Sequence, residues 1–426
     1  MKTINYPLKS SWTDLLKRPA INTNSLEKDV ATILAGVKQN GDRSIKTYTC
    51  QFDKVEIGTT LVSKKEIEEA ENLCTQKLKK AIQLAKKNIQ KFHTSQKEKV
   101  KIIETTKGVS CWRRSVGIEK VGLYIPGGSA PLFSTILMLG VPAKLAGCKE
   151  VILCSPPNIN GMLDPAILYA AKLVGVTKIF KIGGVQAIAA MAYGTDTVPQ
   201  VYKIFGPGNQ YVTCAKQLVN KNGTAIDMPA GPSELAILAD GSCVPTYVAA
   251  DLLSQAEHGE DSQVILVSDN QKTIKEVLNE LKKQLAVLPR KSIAKKALQN
   301  SKAILVKSKS EAIELINQYA PEHLIVTCKN EDKIAMKIIN AGSVFIGNYS
   351  CETAGDYASG TNHTLPTNGH AKAYSGISLD SFVKKITYQK ISKKGINNIG
   401  PAIELMAEAE GLQGHKNAVT LRLNNK

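Results

Sequence analysis

Val121-Gly-Leu-Tyr-Ile125, closed by Pro126-Gly127-Gly128-Ser129, is the stretch on which the fold turns. Five residues without a polar face are too short for a core helix, and a proline–glycine turn ends them. Such a run reads as a strand buried on both sides, as in a parallel sheet. Outward from it the pattern repeats. Strands are expected at Glu150–Cys154, Lys178–Ile182 and Val201–Phe205, separated by helices near 132–146, 164–174, 185–193 and 209–220. A second run places strands at Glu234–Ala239, Gln263–Val267, Ala303–Lys307, His323–Thr327 and Ser343–Gly347, with helices near 245–257, 271–285, 310–319 and 331–340. Strands alternating with helices of this length form right-handed crossovers, so the fold class is α/β with two doubly wound, incomplete Rossmann-like parallel sheets and a cleft between them. The break falls near Pro229-Ala-Gly-Pro232.

The flanks divide the rest of the chain. Residues 1–23 form a polar arm with an apolar patch from Trp12 to Leu16, suited to docking on another surface. Residues 24–118 contain helices at Leu26–Lys38 and Lys64–Phe92 and strand-like pieces near Ile45–Gln51 and Val100–Thr105. We group 24–118 with 233–375 as the first α/β domain, carrying the polar site. Residues 119–232 form the second α/β domain, and 376–426 form a small tail domain.

Composition narrows the function. The chain has 426 residues, 43% of them apolar, and no apolar run near the ~20 residues of a membrane span. Its start has no apolar signal-peptide core, and its nine cysteines contain no C-x-x-C pair, so we expect reduced thiols in a cytoplasm. The net charge of +18 raises nucleic acid as a partner. Much of the excess lies between Lys77 and Lys101, where nine lysines face one acid, Glu98. Ser63-x-x-Glu66 is a capping box, and Ile67, Ala70, Cys74, Leu78, Ile82, Ala85, Ile89 and Phe92 make one apolar stripe behind it. The lysines therefore occupy the solvent face of an amphipathic helix. With Phe92 as its lone aromatic it lacks stacking platforms for bases.

The polar constellations point to chemistry. Asp251-Leu-Leu-Ser-Gln255-Ala-Glu-His258-Gly259 reads as a helix end closed by a left-handed glycine. Gln255 and His258 share one face there, three apart, and two such donors need partners from elsewhere. Pro321-Glu322-His323-Leu324 joins a helix loop to a strand, and adjacent Glu and His can divide acid–base work. Gly355 to Thr367 is a dense polar loop containing Asp356 and His363, and Glu410 to Asn417 brings His415 into the tail. Gln255, His258, Asp356 and His415 make a mixed N/O set suited to catalytic zinc or a similar ion. Of the other histidines, His93 is read as structural and His370 has no assigned role. Glycine turns at Pro126–Ser129, Gly183-Gly184-Val185-Gln186 and Gly206-Pro207-Gly208-Asn209 can aim amide N–H groups at a pyrophosphate, but no G-x-G-x-x-G is present. A metal-dependent hydrolase, with Glu322 activating water, fits these residues as an alternative. Cys111 and Cys148 have no histidine beside them in sequence and are discounted as nucleophiles.

At these motifs the chain resembles the histidinol dehydrogenase family. The blocks that carry the resemblance are Val121 to Pro131, Lys203 to Asn209, Ala225 to Glu234, Asp251 to Gly259, Pro321 to Leu324, Ala354 to Pro366 and His415 to Arg422. The region before Gly117 matches only loosely. The resemblance implies oxidation of L-histidinol to L-histidine through the aldehyde with two NAD⁺, and one zinc per subunit. It implies Gln255, His258, Asp356 and His415 as zinc ligands, His323 as general base and Glu322 as activator of water. The zinc ligands and His323, with Ser233, His363 and Glu410, would contact substrate, while Tyr124, Gln186 and Asn209 would contact NAD on the 119–232 side. It further implies a homodimer whose tails cross, so that Glu410 and His415 complete the partner's site, and neither nucleic acid nor membrane as a partner.

Overall fold

The computed structural model describes residues 1–19, 23–127, 131–229 and 231–424. Gly128 and Ser129 of the first turn, and Ala230 at the break, lie outside the described residues. The strands, in chain order, are β1 (Lys2–Asn5), β2 (Ile103–Thr106), β3 (Val109–Gly117), β4 (Lys120–Tyr124), β5 (Glu150–Ser155), β6 (Lys178–Lys181) and β7 (Lys203–Phe205). They continue with β8 (Ala225–Ile226), β9 (Glu234–Ala239), β10 (Gln263–Ser268), β11 (Lys302–Leu305), β12 (His323–Thr327), β13 (Ser343–Ile346) and β14 (Val383–Ile391).

Two parallel sheets form as the alternation requires. The five-stranded sheet has the order β6-β5-β4-β7-β8, and the six-stranded one β1-β11-β10-β9-β12-β13. In both, the first strand of the run is central and the order reverses beside it: at β4/β7 in one, at β9/β12 in the other. That reversal opens a crevice at the strand ends where the flanking loops part. The helix Phe133–Ala146 is buried from Ser134 to Ala143 because it lies between the five-stranded sheet and a further helical layer. This explains its lack of a polar face.

The N-terminal third departs from the expected grouping. Residues 24–118 do not join 233–375. The helix Thr23–Asp53 covers one face of the five-stranded sheet through Val30, Leu34, Val37 and Ile45. Ile82, Ala85 and Ile89 of the helix Gln76–Thr94 pack into the core on the opposite face. An apolar stripe specifies that a helix is covered, not which sheet covers it. Ile45–Gln51 is helical rather than strand-like, since Ile45 and Thr49 are both fully buried at a spacing of one helical turn. The long lysine-rich helix is two, Lys64–Leu73 and Gln76–Thr94, because Thr75 caps the second by accepting from Leu78 N–H.

The arm docks on its own chain. β1 extends the six-stranded sheet in register with β11, Lys2 opposite Lys302, and Trp12 and Leu16 are buried on one face of that sheet. The tail also holds a strand unseen in the sequence: β14 pairs antiparallel with β3, which pairs with β2. All nine cysteines are free. Among the described residues, no helix is long and apolar enough to cross a membrane.

Candidate active site

The two sheets contribute different ends to the same region. On the five-stranded sheet a cleft of about 1150 Å³ opens at the carboxyl ends of the strands, lined by Tyr124, Gly127, Ser155, Gly184, Gln186 and Asn209. Gly206, just past β7, has φ 125°, and a Cβ there would stand 2.0 Å from the Tyr124 carbonyl oxygen. Only glycine allows this approach at the point where the strand order reverses. A buried Lys216–Asp227 pair braces the turn: Lys216 donates to the Gly206 carbonyl at 2.8 Å, and Gly206 N–H donates to Asp227 at 2.8 Å. Gly183 caps the helix Gly184–Tyr193, whose amino end faces the cleft, the arrangement that favours an anion.

The residues expected to hold NAD all border this cleft. The Tyr124 hydroxyl accepts from Gly184 N–H at 3.1 Å, and burial raises its pKa. Both amide atoms of Gln186 are buried without a partner, a state that a ligand's polar groups would relieve. The Asn209 side-chain oxygen caps the helix Gln210–Lys221, accepting from Tyr211 and Val212 N–H at 3.1 Å each. Its amide nitrogen remains for a ligand.

A second cleft, of about 1210 Å³, adjoins the first at Asn209 and reaches Ser233, His258 and Arg18. Near it, at the amino ends of β9 and β12, lies the polar cluster. Ligands of doubly wound sheets are expected at carboxyl ends, but here the second sheet presents its opposite edge. His323 opens β12 with Glu322 just before it, beside Glu234, which opens β9, and all three are buried. The Glu234 main chain serves both neighbours. Its N–H donates to Glu322 Oε2 at 2.9 Å, and its carbonyl lies 3.3 Å from His323 Nδ1. A carbonyl can only accept, so Nδ1 carries a proton here, and in the neutral imidazole it is Nε2 that keeps the lone pair. Nε2 is buried, has no protein hydrogen-bond partner, and stands 3.7 Å from Asp356 Oδ1.

His323, Glu352 and Asp356 present ligand atoms that all lie within 4.8 Å of one another. Burial alone would disfavour protonated His323, but the charges of Glu322 and Glu352 and the contact with Asp356 outweigh it and raise its pKa well above the usual range. Burial also works against ionised Asp356, yet His323 holds its pKa below the usual carboxylate value. Burial, reinforced by Asp356 and Glu322, pushes Glu352 up to about 8.

The expected metal ligands are only partly assembled within one chain. Gln255 is fully buried; with its amide turned so that the nitrogen faces Glu352, it donates to that carboxylate and its oxygen accepts from Glu234 N–H at 3.1 Å. Leu252 and Leu253 anchor its helix in the core, each worth roughly 2 kcal/mol of burial. That helix ends at Ala256, and Gly259 is not left-handed; His258 lies in a turn, its N–H donating to the Gln255 carbonyl at 3.2 Å. From there its charge acts on Asp356. His415 and Glu410 are exposed in the tail, outside this cluster. Both nitrogens of His363 are engaged, Nδ1 at 2.9 Å from the Asp356 carbonyl and Nε2 at 3.0 Å from the Thr135 hydroxyl.

The sequence reading missed Glu234, Glu352 and Arg18. Glu352 and Asp356 share one face of the helix Glu352–Tyr357 at a spacing of four, a signal available in the sequence. Glu234 is the one charged residue in an otherwise apolar buried strand.

A cleft at the strand ends of one parallel sheet, beside a buried His–carboxylate cluster at the end of another, fits an α/β oxidoreductase. The family profile described as histidinol dehydrogenase matches residues 16–423. A histidinol dehydrogenase of Bacteroides thetaiotaomicron is 62% identical over 100% of this chain and 99% of its own length. One from Escherichia coli is 50% identical over 96% of this chain and 94% of its own. The crystal structure of histidinol dehydrogenase from Elizabethkingia anophelis superposes with a TM-score of 0.98 at 56% identity, covering 99% of this chain and 98% of that one. The chain belongs to the histidinol dehydrogenase family.

Proposed function

We propose that the protein oxidises L-histidinol to L-histidine through L-histidinaldehyde, with zinc and NAD⁺. The observation that carries the reading is the buried, unpartnered Nε2 of His323 facing Asp356. Nitrogen and oxygen donors suit zinc, and the unpartnered Asp356 oxygen and the bordering Gln255 and His258 fit it. Gln255, His258 and Asp356 would hold the ion, with His415 supplied by a second copy of the chain. Bound zinc would orient the substrate's polar groups, and NAD⁺ would accept one hydride in each oxidation.

The protein's own groups move the protons. His323 Nε2 takes the alcohol proton as hydride leaves carbon. Nδ1 stays donated to the Glu234 carbonyl, so the tautomer is fixed throughout. With Asp356 engaged by a cation, His323 loses one of the anions that favour its protonated form. Glu322, oriented by Glu234 N–H, takes a proton from water as the oxygen adds to the aldehyde, and the aldehyde oxygen takes the proton held by His323, which frees Nε2 again. His323 then takes a proton from the resulting hydrate as the second hydride leaves. Gln186, Tyr124 and Asn209 position the nucleotide; Ser233, His363 and Glu410 complete the substrate's surroundings, His363 by fixing the end of the helix that carries Asp356.

The test is absorbance of NADH formed from NAD⁺ and L-histidinol, before and after chelation. Two NADH per histidinol, abolished by chelator and restored by zinc, is the expected result. No NADH from folded, zinc-loaded protein would overturn the reading.

A further inference from the structure

We propose that Arg18, on the N-terminal arm, is a positioning residue that clamps together the two backbone segments presenting Glu322 and His323. The arm is remote from both in sequence, and the expected site residues do not include it. One guanidinium reaches both segments. Toward β9, Arg18 Nε donates to Glu234 Oε1 at 2.7 Å and Nη2 to Oε2 at 2.9 Å. Toward β12, Nη2 donates to the carbonyls of Tyr319 at 2.7 Å and Ala320 at 3.4 Å. The guanidinium also lies 4.1 Å above the centre of the Tyr319 ring.

Each segment matters to the pair. Glu234 fixes Glu322 through its N–H and His323 through its carbonyl, so tilting that residue disturbs both side chains. Its carboxylate is fully buried and held by Arg18 together with Asn368 N–H at 2.7 Å. On the other segment, Ala320 takes φ 52°, a left-handed conformation that an alanine adopts only under constraint from its surroundings. Pro321-Glu322-His323 follows directly. Arg18 therefore holds the strained turn that leads into the pair and the strand edge against which the pair is aligned. A lysine could supply the charge but not the planar fork that binds two carboxylate oxygens and two carbonyls at once.

The inference rests on the reading that Glu322 and His323 perform the chemistry, and its test separates the two. Arg18→Gln, Arg18→Lys and, as a control, Lys9→Ala are made in the full chain and loaded with zinc. Lys9 pairs with Glu314 on the exposed face of the same arm, so its loss tests arm docking without the clamp. Arg18→Gln should lower kcat about ten- to a hundredfold while KM for NAD⁺ stays at the wild-type value, as expected when a supporting contact is lost and the cofactor cleft is untouched. Arg18→Lys should recover part of the loss, and Lys9→Ala should match wild type. Wild-type kcat in folded Arg18→Gln protein, or an equal loss in Lys9→Ala, would overturn the clamp. If Arg18→Gln does not fold, folded Arg18→Lys decides by the same comparison of kcat with KM. A wild-type protein that makes no NADH would instead sink the functional reading. The clamp then has its own readout, the imidazole Nδ1 proton signal of His323, lost in Arg18→Gln and weakened in Arg18→Lys if the clamp holds, and unchanged in both if it does not.

Discussion

His323 Nε2 and Asp356 Oδ1 face each other across 3.7 Å, both buried and both without a protein hydrogen bond. Two adjacent unpartnered polar atoms in a protein interior are costly unless something binds between or beside them. Substitution at these positions separates binding from chemistry.

His323→Asn should leave zinc content unchanged and lower turnover of both oxidations by about a hundred- to ten-thousand-fold, the range for loss of a general base. Metal analysis beside NADH formation from histidinol, and separately from the aldehyde, checks this. Loss of only one oxidation would remove His323 from its double role.

Glu322→Gln keeps an oxygen that can accept from Glu234 N–H but cannot take a proton from water. Aldehyde oxidation should fall by about a hundredfold or more while the alcohol step is less affected. The ratio of the two rates is the measurement.

How far was this site legible in the sequence? The parallel sheets and the Glu322–His323 pair were, because buried strands and an acid–base dipeptide leave local marks. The surroundings of the pair were not. Glu234 reads as a polar interruption in a core strand until its backbone is seen between two side chains. Arg18 acts across more than two hundred residues of sequence, a distance no periodicity records. The covering of the five-stranded sheet by 24–95 was missed for a related reason: an apolar stripe names no partner.

His258→Asn and His415→Asn should each lower zinc affinity by about ten- to a hundredfold, measured against a competing chelator. If the tails cross, mixing the two inactive variants should restore about a quarter of wild-type activity, since half the dimers would then contain one intact site. No recovery on mixing would place His415 outside the partner's site.

Asp53 borders the cleft on the five-stranded sheet, and burial pushes its pKa up to about 6. The folded state therefore favours the protonated form. Below the unfolded value of about 4 the group costs nothing, stability falls as pH rises from there to about 6, and the loss persists above. Asp53→Asn should raise Tm relative to wild type at pH about 7.5 and barely change it at pH about 4. A constant difference across that range would exclude the titration.

The register of the outer strands bears on how the chain folds during synthesis. Lys2 of β1 pairs with Lys302, and Val109 to Gly117 of β3 pairs with residues 383–391. Both early strands must wait on the ribosome for partners made hundreds of residues later. Until then β3 has an unpaired edge, the kind of surface on which nascent chains associate wrongly and chaperones act. The five-stranded sheet has all its strands and its long covering helices by Ile226, and waits only for Ile377 and Phe382 of the tail to fill out its core. Folding of the five-stranded sheet can thus precede assembly of the β9–β12 edge, which closes only when β12 and β13 have emerged.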